Sequence, residues 1–230
     1  VEDSFTYNLV QGYNWISFPV LPEDKSLANV MEGYEEIVEN FDNITASNGK
    51  TAQYYNGQWY GTLQNIVPTR MYVLYSANGG TFEVSGSEVG HDGAMNLYQG
   101  WNWLPFFQKQ SMSVQDAFQH LDVQDLDQII APNGEVAQYY GNQWYGTLDT
   151  LEPGVGYKFN VSKAQGFSYT HQVSPLEAMS IETAAVNKPN WDAPQGLLNQ
   201  MKTLSTFTNA GWDFADSSAA TEEDGIWLMD

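Results

Sequence analysis

The chain has 230 residues and a net charge of −20, from 28 acidic against 8 basic side chains, with no cluster of Lys or Arg. That balance speaks against nucleic acid and anionic membrane surfaces as partners, because both need a basic footprint. Cysteine is absent, which excludes disulfides and thiolate metal sites, and aromatics at 14% with apolar residues at 42% mark a chain that folds around a core.

In chain order, the first element is "YNWISFPV" (residues 13–20). It is rich in aromatic and β-branched residues and predicts a strand that Pro19 ends or confines to a sheet edge. Trp15, set among apolar neighbours, is expected in the core. "SLANVMEGYEEI" (26–37) places Leu27, Val30, Met31 and Tyr34 at helical spacing behind Ser26, a good N-cap residue. "AQYYNGQWYGTL" (52–63) carries Asn56-Gly57 between two aromatic arms. Both residues of such a pair accept positive φ, so the segment predicts a two-residue β-hairpin. "RMYVLYSA" (70–77), entered by a turn at Pro68, and "GGTFEVS" (79–85) are further strands. The polar, Gly/Ser-rich "SGSEVGHDGAMN" (85–96) reads as a short connection.

The same order then returns. "LVQGYNWISFPV" (9–20) aligns with "LYQGWNWLPFFQ" (97–108), placing Gly12, Asn14 and Trp15 over Gly100, Asn102 and Trp103. Trp103 is likewise expected in the core. Val114, Ala117, Phe118 and Leu121 repeat the helical pattern behind Ser113. "AQYYGNQWYGTL" (137–148) repeats the hairpin with its turn pair reversed, and "GYKFNVS" (156–162) and "QGFSYTH" (165–171) close the second copy. The fold class expected is therefore mainly β: two tandem sandwich- or barrel-like units, residues 1–90 and 91–173, each with one short helix. Residues 174–230 are expected to be a linker followed by a β-rich C-terminal extension.

The pattern G-[YW]-N-W-[IL]-x-F, short helix, N-G turn, W-Y-G-T-L, P-x-x-x-Y resembles tandem modules of secreted and cell-surface bacterial proteins. The second copy, with Pro153, Gly154, Gly156 and Tyr157, fits best; the first departs, with Thr69 and Met71 at the glycine positions. "MKTLSTFTNAGWDFADSSAATEEDGIWLM" (Met201 to Met229) resembles the GLUG repeat rung of bacterial surface proteins, without the following Y-P-x-L. Both resemblances imply the extracellular face of a bacterium. The chain opens on Val1, as a processed or trimmed N-terminus would.

No motif of catalysis stands out. The histidines, His91, His120 and His171, form no metal-spacing pair, and the sequence contains no nucleophile elbow, P-loop or dinucleotide fingerprint. No cofactor is expected, and no metal ligand set can be named. Carboxylates such as Glu35, Glu36, Asp42, Asp122, Asp125 and Asp127 are plentiful in so acidic a chain; they read as unshared between the copies, which argues against a glycosidase pair. Asn43 and Asn160 open formal N-glycosylation sequons.

The repeated aromatics remain. Tyr55, Trp59 and Tyr60, with Tyr140, Trp144 and Tyr145, are the candidate ligand-binding residues, since flat aromatic faces beside amides suit sugar rings. The expectation is a non-enzymatic extracellular module of a bacterial surface protein for adhesion or carbohydrate binding, with a glycan or a surface protein as partner. The alternative is a self-associating subunit of a filament, sheath or surface layer.

Overall fold

The computed structural model describes residues 3–90, 93–174 and 178, which all belong to one unit within residues 1–186. His91 and the GLUG-like segment lie outside the described residues, as does the expected β-rich extension.

The first copy runs β1 (Asp3–Leu9), β2 (Gly12–Ile16), β3 (Val20–Leu21), α1 (Leu27–Val30), a 3-10 helix (Glu32–Glu36), β4 (Asn43–Ala46), β5 (Thr51–Tyr55), β6 (Gln58–Gly61), β7 (Tyr72–Ser76) and β8 (Gly80–Glu88). The second runs β9 (Met95–Leu97), β10 (Gly100–Pro105), β11 (Met112–Ser113), α2 (Val114–Ala117), β12 (Gln128–Ile130), β13 (Val136–Tyr140), β14 (Gln143–Gly146), β15 (Thr150–Leu151), β16 (Gly156–Val161) and β17 (Gln165–Phe167). The protein is mainly β, as the alternating aromatic runs imply. Each copy builds an antiparallel five-stranded sheet, in the order β2-β7-β4-β5-β6 or β10-β16-β12-β13-β14. A smaller sheet accompanies each: β1-β8-β3 in the first, β17-β9 in the second.

One face of each large sheet is buried. Ile44, Ala46, Ala52, Tyr72 and Leu74 pack in the first copy with Tyr7 and Phe82 of the smaller sheet and with Leu27, Val30, Met31 and Tyr34 of the helical segment. Ile129, Ala137, Tyr157 and Phe159 do the same in the second copy, against Phe118 and Phe167. The layered arrangement is β-sandwich-like, and burying apolar area between layers is its main stabilisation.

The helices are shorter than their sequence pattern. Each α-helix is four residues long, and in the first copy the chain tightens into the 3-10 helix. Gly33 explains part of this: a Cβ there would sit 2.4 Å from the Glu83 carbonyl oxygen, so the segment lies directly on β8. Packing rather than intrinsic helicity holds such short turns. Ser113 caps α2, accepting from the Asp116 N–H at 3.0 Å. Ser26 makes no such bond; its hydroxyl donates to Asp24 instead.

The copies join through backbone. Ile16 bridges Val155, the Ser17 N–H donates to the Gly154 carbonyl at 2.9 Å, and the Ser17 hydroxyl reaches the Phe106 and Val155 carbonyls at 2.7 and 2.9 Å. The two glycines that distinguish the second copy are receptacles here. A Cβ on Gly154 would stand 2.4 Å from the Phe5 ring, and one on Gly156 2.5 Å from Met71. Met71 occupies in the first copy the position of Gly156 in the second, so the joint is a knob against a hole and needs unlike residues. A Lys109–Asp3 ion pair at 2.6 Å also spans the copies.

Candidate functional site

The two hairpins have identical turn chemistry. Asn56 and Gly57 have φ of 49° and 84°; Gly141 and Asn142 have 57° and 69°. Positive φ at both central residues fits the twist of paired strands, and Asn and Gly tolerate it. The tip is held from outside: Asn40 Oδ1 accepts from the Asn56 N–H and Asp125 Oδ1 from the Gly141 N–H, both at 2.9 Å.

Most of "WYGTL" is explained by packing. Trp59 and Trp144 turn inward, pack on the cores and meet Tyr54 and Tyr139 edge-on at 5.3 Å. The Trp59 indole N–H finds no acceptor among the described residues. Gly61 and Gly146 lie so close to the neighbouring strand that a Cβ would fall 2.1 Å from the Thr51 and 2.0 Å from the Val136 carbonyl oxygen. Thr62 and Thr147 accept hydrogen bonds from the Thr51 and Val136 N–H groups, and Leu63 and Leu148 are buried.

Four outward positions of each hairpin lie away from the core. Gln53, Tyr55, Gln58 and Tyr60 return unchanged as Gln138, Tyr140, Gln143 and Tyr145. The tyrosines are 51%, 54%, 62% and 56% exposed for Tyr55, Tyr60, Tyr140 and Tyr145. The nearby pairs Lys50/Glu135 and Thr51/Val136 differ freely between copies. So the predicted set divides: the tyrosines face solvent and the two tryptophans face the core. The Tyr60 and Tyr145 hydroxyls each donate to the neighbouring Gln58 or Gln143 side-chain oxygen at 3.1 Å, which fixes the rings over the sheet.

The register extends this surface across all five strands. Tyr13 stands opposite Tyr75, Tyr75 opposite Asn43, Asn43 opposite Gln53 and Gln53 opposite Tyr60. In the second copy the row is Trp101, Asn160, Gln128, Gln138 and Tyr145. Each row has an aromatic at both ends; between them stand Tyr75, Asn43 and Gln53 in the first copy and the three amides Asn160, Gln128 and Gln138 in the second. The two sequon asparagines, Asn43 and Asn160, both belong to the rows. The sequence reading missed Tyr13 and Trp101 as members; their shared alternation with Trp15 and Trp103 was the available signal.

Two expectations are corrected on this face. Trp15 and Trp103 are half-buried rather than core, since they share the outward parity of Tyr13 and Trp101. The Lys158 ammonium lies 4.7 Å from the Trp15 ring centroid, and Lys158 is also the register partner of Trp103. That contact covers part of the indole and suits a cation over a π face.

The carboxylates are likewise shared after all. Asp42 and Asp127 hold corresponding positions and are buried. Asp42 accepts from the Tyr34 hydroxyl at 2.6 Å and from the Glu39 and Ala77 N–H groups at 3.0 and 2.8 Å. Asp127 accepts from the Gln124 N–H and from both the N–H and hydroxyl of Ser162. They tie the loop before β4 or β12 to the end of β7 or β16, a structural task. Just before them, Phe41 and Leu126 are exposed with φ of 78° and 75°, a conformation unusual for bulky residues. Their N–H groups donate to the Tyr54 and Tyr139 carbonyls at 2.8 Å, and the Phe41 ring lies 5.6 Å from that of Tyr55.

Among the described residues there is no cluster of three or more His, Asp or Glu able to hold a metal, and no helix long and apolar enough to cross a membrane. A shallow cleft of about 280 Å³ flanks β14, lined by Trp144, Tyr145, Leu148, Ser113 and Asp149. Compared with protein-family models, with curated proteins and with solved structures, the chain matches none.

Proposed function

We propose that this chain is a non-catalytic carbohydrate-binding or adhesion module of an extracellular bacterial surface protein. The observation that carries the reading is the identity of Gln53, Tyr55, Gln58 and Tyr60 with Gln138, Tyr140, Gln143 and Tyr145 on the outward face of the hairpins, where all four tyrosines are more than half exposed. Tyrosine gives a rigid face for a sugar ring, and a primary amide offers a donor and an acceptor to adjacent hydroxyls. The extracellular setting rests on the two sequence resemblances and agrees with the acidity and the absence of cysteine. Retention on immobilised polysaccharides tests the reading. Tyr60→Ala with Tyr145→Ala is expected to abolish retention; retention unchanged by the pair would refute the site.

A second reading, a filament or surface-layer subunit, draws on the sheet edges. β2, β6, β10 and β14 are edge strands without a charged residue. Natural edges are usually blunted by charge, and bare ones accept a further strand. Sedimentation velocity across a range of protein concentrations separates the two: concentration-dependent polymers favour assembly, and a persistent monomer counts against it.

A further inference from the structure

We infer that each copy holds one uncharged, extended glycan chain laid across its strands along the amide row, so that the protein binds two such chains independently. This rests on the carbohydrate-binding reading and specifies its ligand.

Direction comes from the register. The row joins residues of five neighbouring strands, and at roughly 4.8 Å per strand its ends stand about 19 Å apart. That is the length of several sugar rings in an extended chain, and far more than a mono- or disaccharide needs. Tyr13 and Tyr60 offer aromatic faces at the two ends of one row, and Trp101 and Tyr145 at the ends of the other. A ligand that meets both ends must cross Tyr75 and the Asn43 and Gln53 amides in the first copy, and the Asn160, Gln128 and Gln138 amides in the second.

Charge follows from composition. β2, β7, β4, β5 and β6 contain no charged residue at all, in a chain of net charge −20. In the second sheet Lys158 alone is charged, and it lies against Trp15. Neutral amides with no cation in the row suit hydroxyl-bearing sugars, and the acidic remainder of the chain repels polyanions. Specificity thus arises partly by excluding uronate and sulfated chains.

Shape follows from twist. Neighbouring strands rotate by roughly 20–25°, so the outward normal turns through about 80–100° along a five-strand row. A chain able to turn along its own axis can follow that path. The flat face of a crystalline polysaccharide meets only part of it. Two sites rather than one follow from repetition: each row is complete within its own copy and borrows no residue from the other.

Titration calorimetry of the full chain tests this. The probes are neutral cello-, xylo- and manno-oligosaccharides of increasing length, an oligouronate, and an insoluble crystalline polysaccharide in a pull-down. The expected result is binding to a neutral series with two chains per protein. Affinity should rise at least about tenfold from disaccharide to tetrasaccharide and then level, as a row of about 19 Å becomes spanned. Tyr13→Ala with Tyr60→Ala should halve the stoichiometry and leave the remaining site's Kd unchanged. Gln53→Leu, which keeps both aromatics, should weaken the same site alone. Saturation at a disaccharide, a stoichiometry of one, or preference for the oligouronate or the crystalline surface would overturn the inference while leaving carbohydrate binding intact. Failure to bind any glycan would refute the carbohydrate reading itself.

Discussion

At the scale of single residues, the repeated positions separate into those that folding requires and those it does not. Asp42 and Asp127 are of the first kind. Each buried carboxylate satisfies three donors, one of them an N–H three residues earlier and at least one from the residue that follows β7 or β16. Removing such a partner leaves buried donors unpaired, and one desolvated group costs about 1–3 kcal/mol. Asp42→Ala and Asp127→Ala are each expected to lower stability by about 3 kcal/mol, read from denaturant midpoints at unchanged m-value. Tyr55, Tyr60, Tyr140 and Tyr145 are of the second kind. Their exposure predicts that alanine at any one of them shifts stability by no more than about 0.5 kcal/mol, so loss of binding by these variants reports on the surface.

At the scale of elements, the hairpin is the unit used twice. Its turn pair occurs in both orders with positive φ throughout. Exchanging Asn56 and Gly57 to Gly-Asn should therefore change the melting temperature little, by the equivalent of about 0.5 kcal/mol or less. Gly146→Ala should behave differently, because its Cβ would meet the Val136 carbonyl carbon and oxygen. Opening the β13–β14 pair to admit it is expected to cost about 2–4 kcal/mol. If both variants proved equally mild in thermal melts, the close-approach explanation of the WYGTL glycine would fail. The core-facing tyrosines show how one requirement is met from different elements. Tyr7 on β1 donates to the Ser17 carbonyl, and Tyr169 beyond β17 donates to the Pro105 carbonyl at the corresponding position. Direct alignment pairs these tyrosines with nothing alike, since they come from opposite ends of their copies.

At the scale of the whole molecule, burial and the joint between copies make two further predictions. Burial pushes the Tyr72 and Tyr157 phenols up to about 12, and those of Tyr7, Tyr34 and Tyr169 upward as well. An unfolded tyrosine titrates near 10, so between about pH 10 and 12 the unfolded chain has lost protons that the native state keeps. Their stabilisation is fully present below about pH 10 and is lost as pH rises through the native values. Unfolding midpoints should thus be insensitive to these groups at neutral pH and fall steeply above about 10; a flat profile to pH 12 would contradict their burial. The joint predicts cooperativity. Ser17, Gly154, Phe106 and Met71 interlock the copies, so Asp42→Ala in the first copy should lower the melting of both. Calorimetry showing separate transitions for the two copies would count against that coupling.

The sequence by itself determined the repeat, the hairpins and their turns, and the strands around residues 13–20, 70–77, 79–85, 156–162 and 165–171; β1, β9 and the central strands β4 and β12 came only with the structure. The former are local properties: turn chemistry acts over two residues, and strand patterning over six or eight. The sequence placed one short helix in each copy, as found, while the helical spacing ran past the four-residue α-helices, because spacing records which side chains are buried and not how many turns the backbone completes. It could not assign the faces. Alternation says that Tyr13 and Trp15 share one side and Trp59 opposes Tyr60, but with aromatics on both sides it does not name the buried one. The tertiary structure decided that, turning Trp59 and Trp144 inward and Trp15 and Trp103 outward. It also assembled each row, because residues 13, 43, 53, 60 and 75 become neighbours only through strand pairing. Register is fixed by which face meets the core, and that depends on the second layer, the helical turn and the opposite copy together.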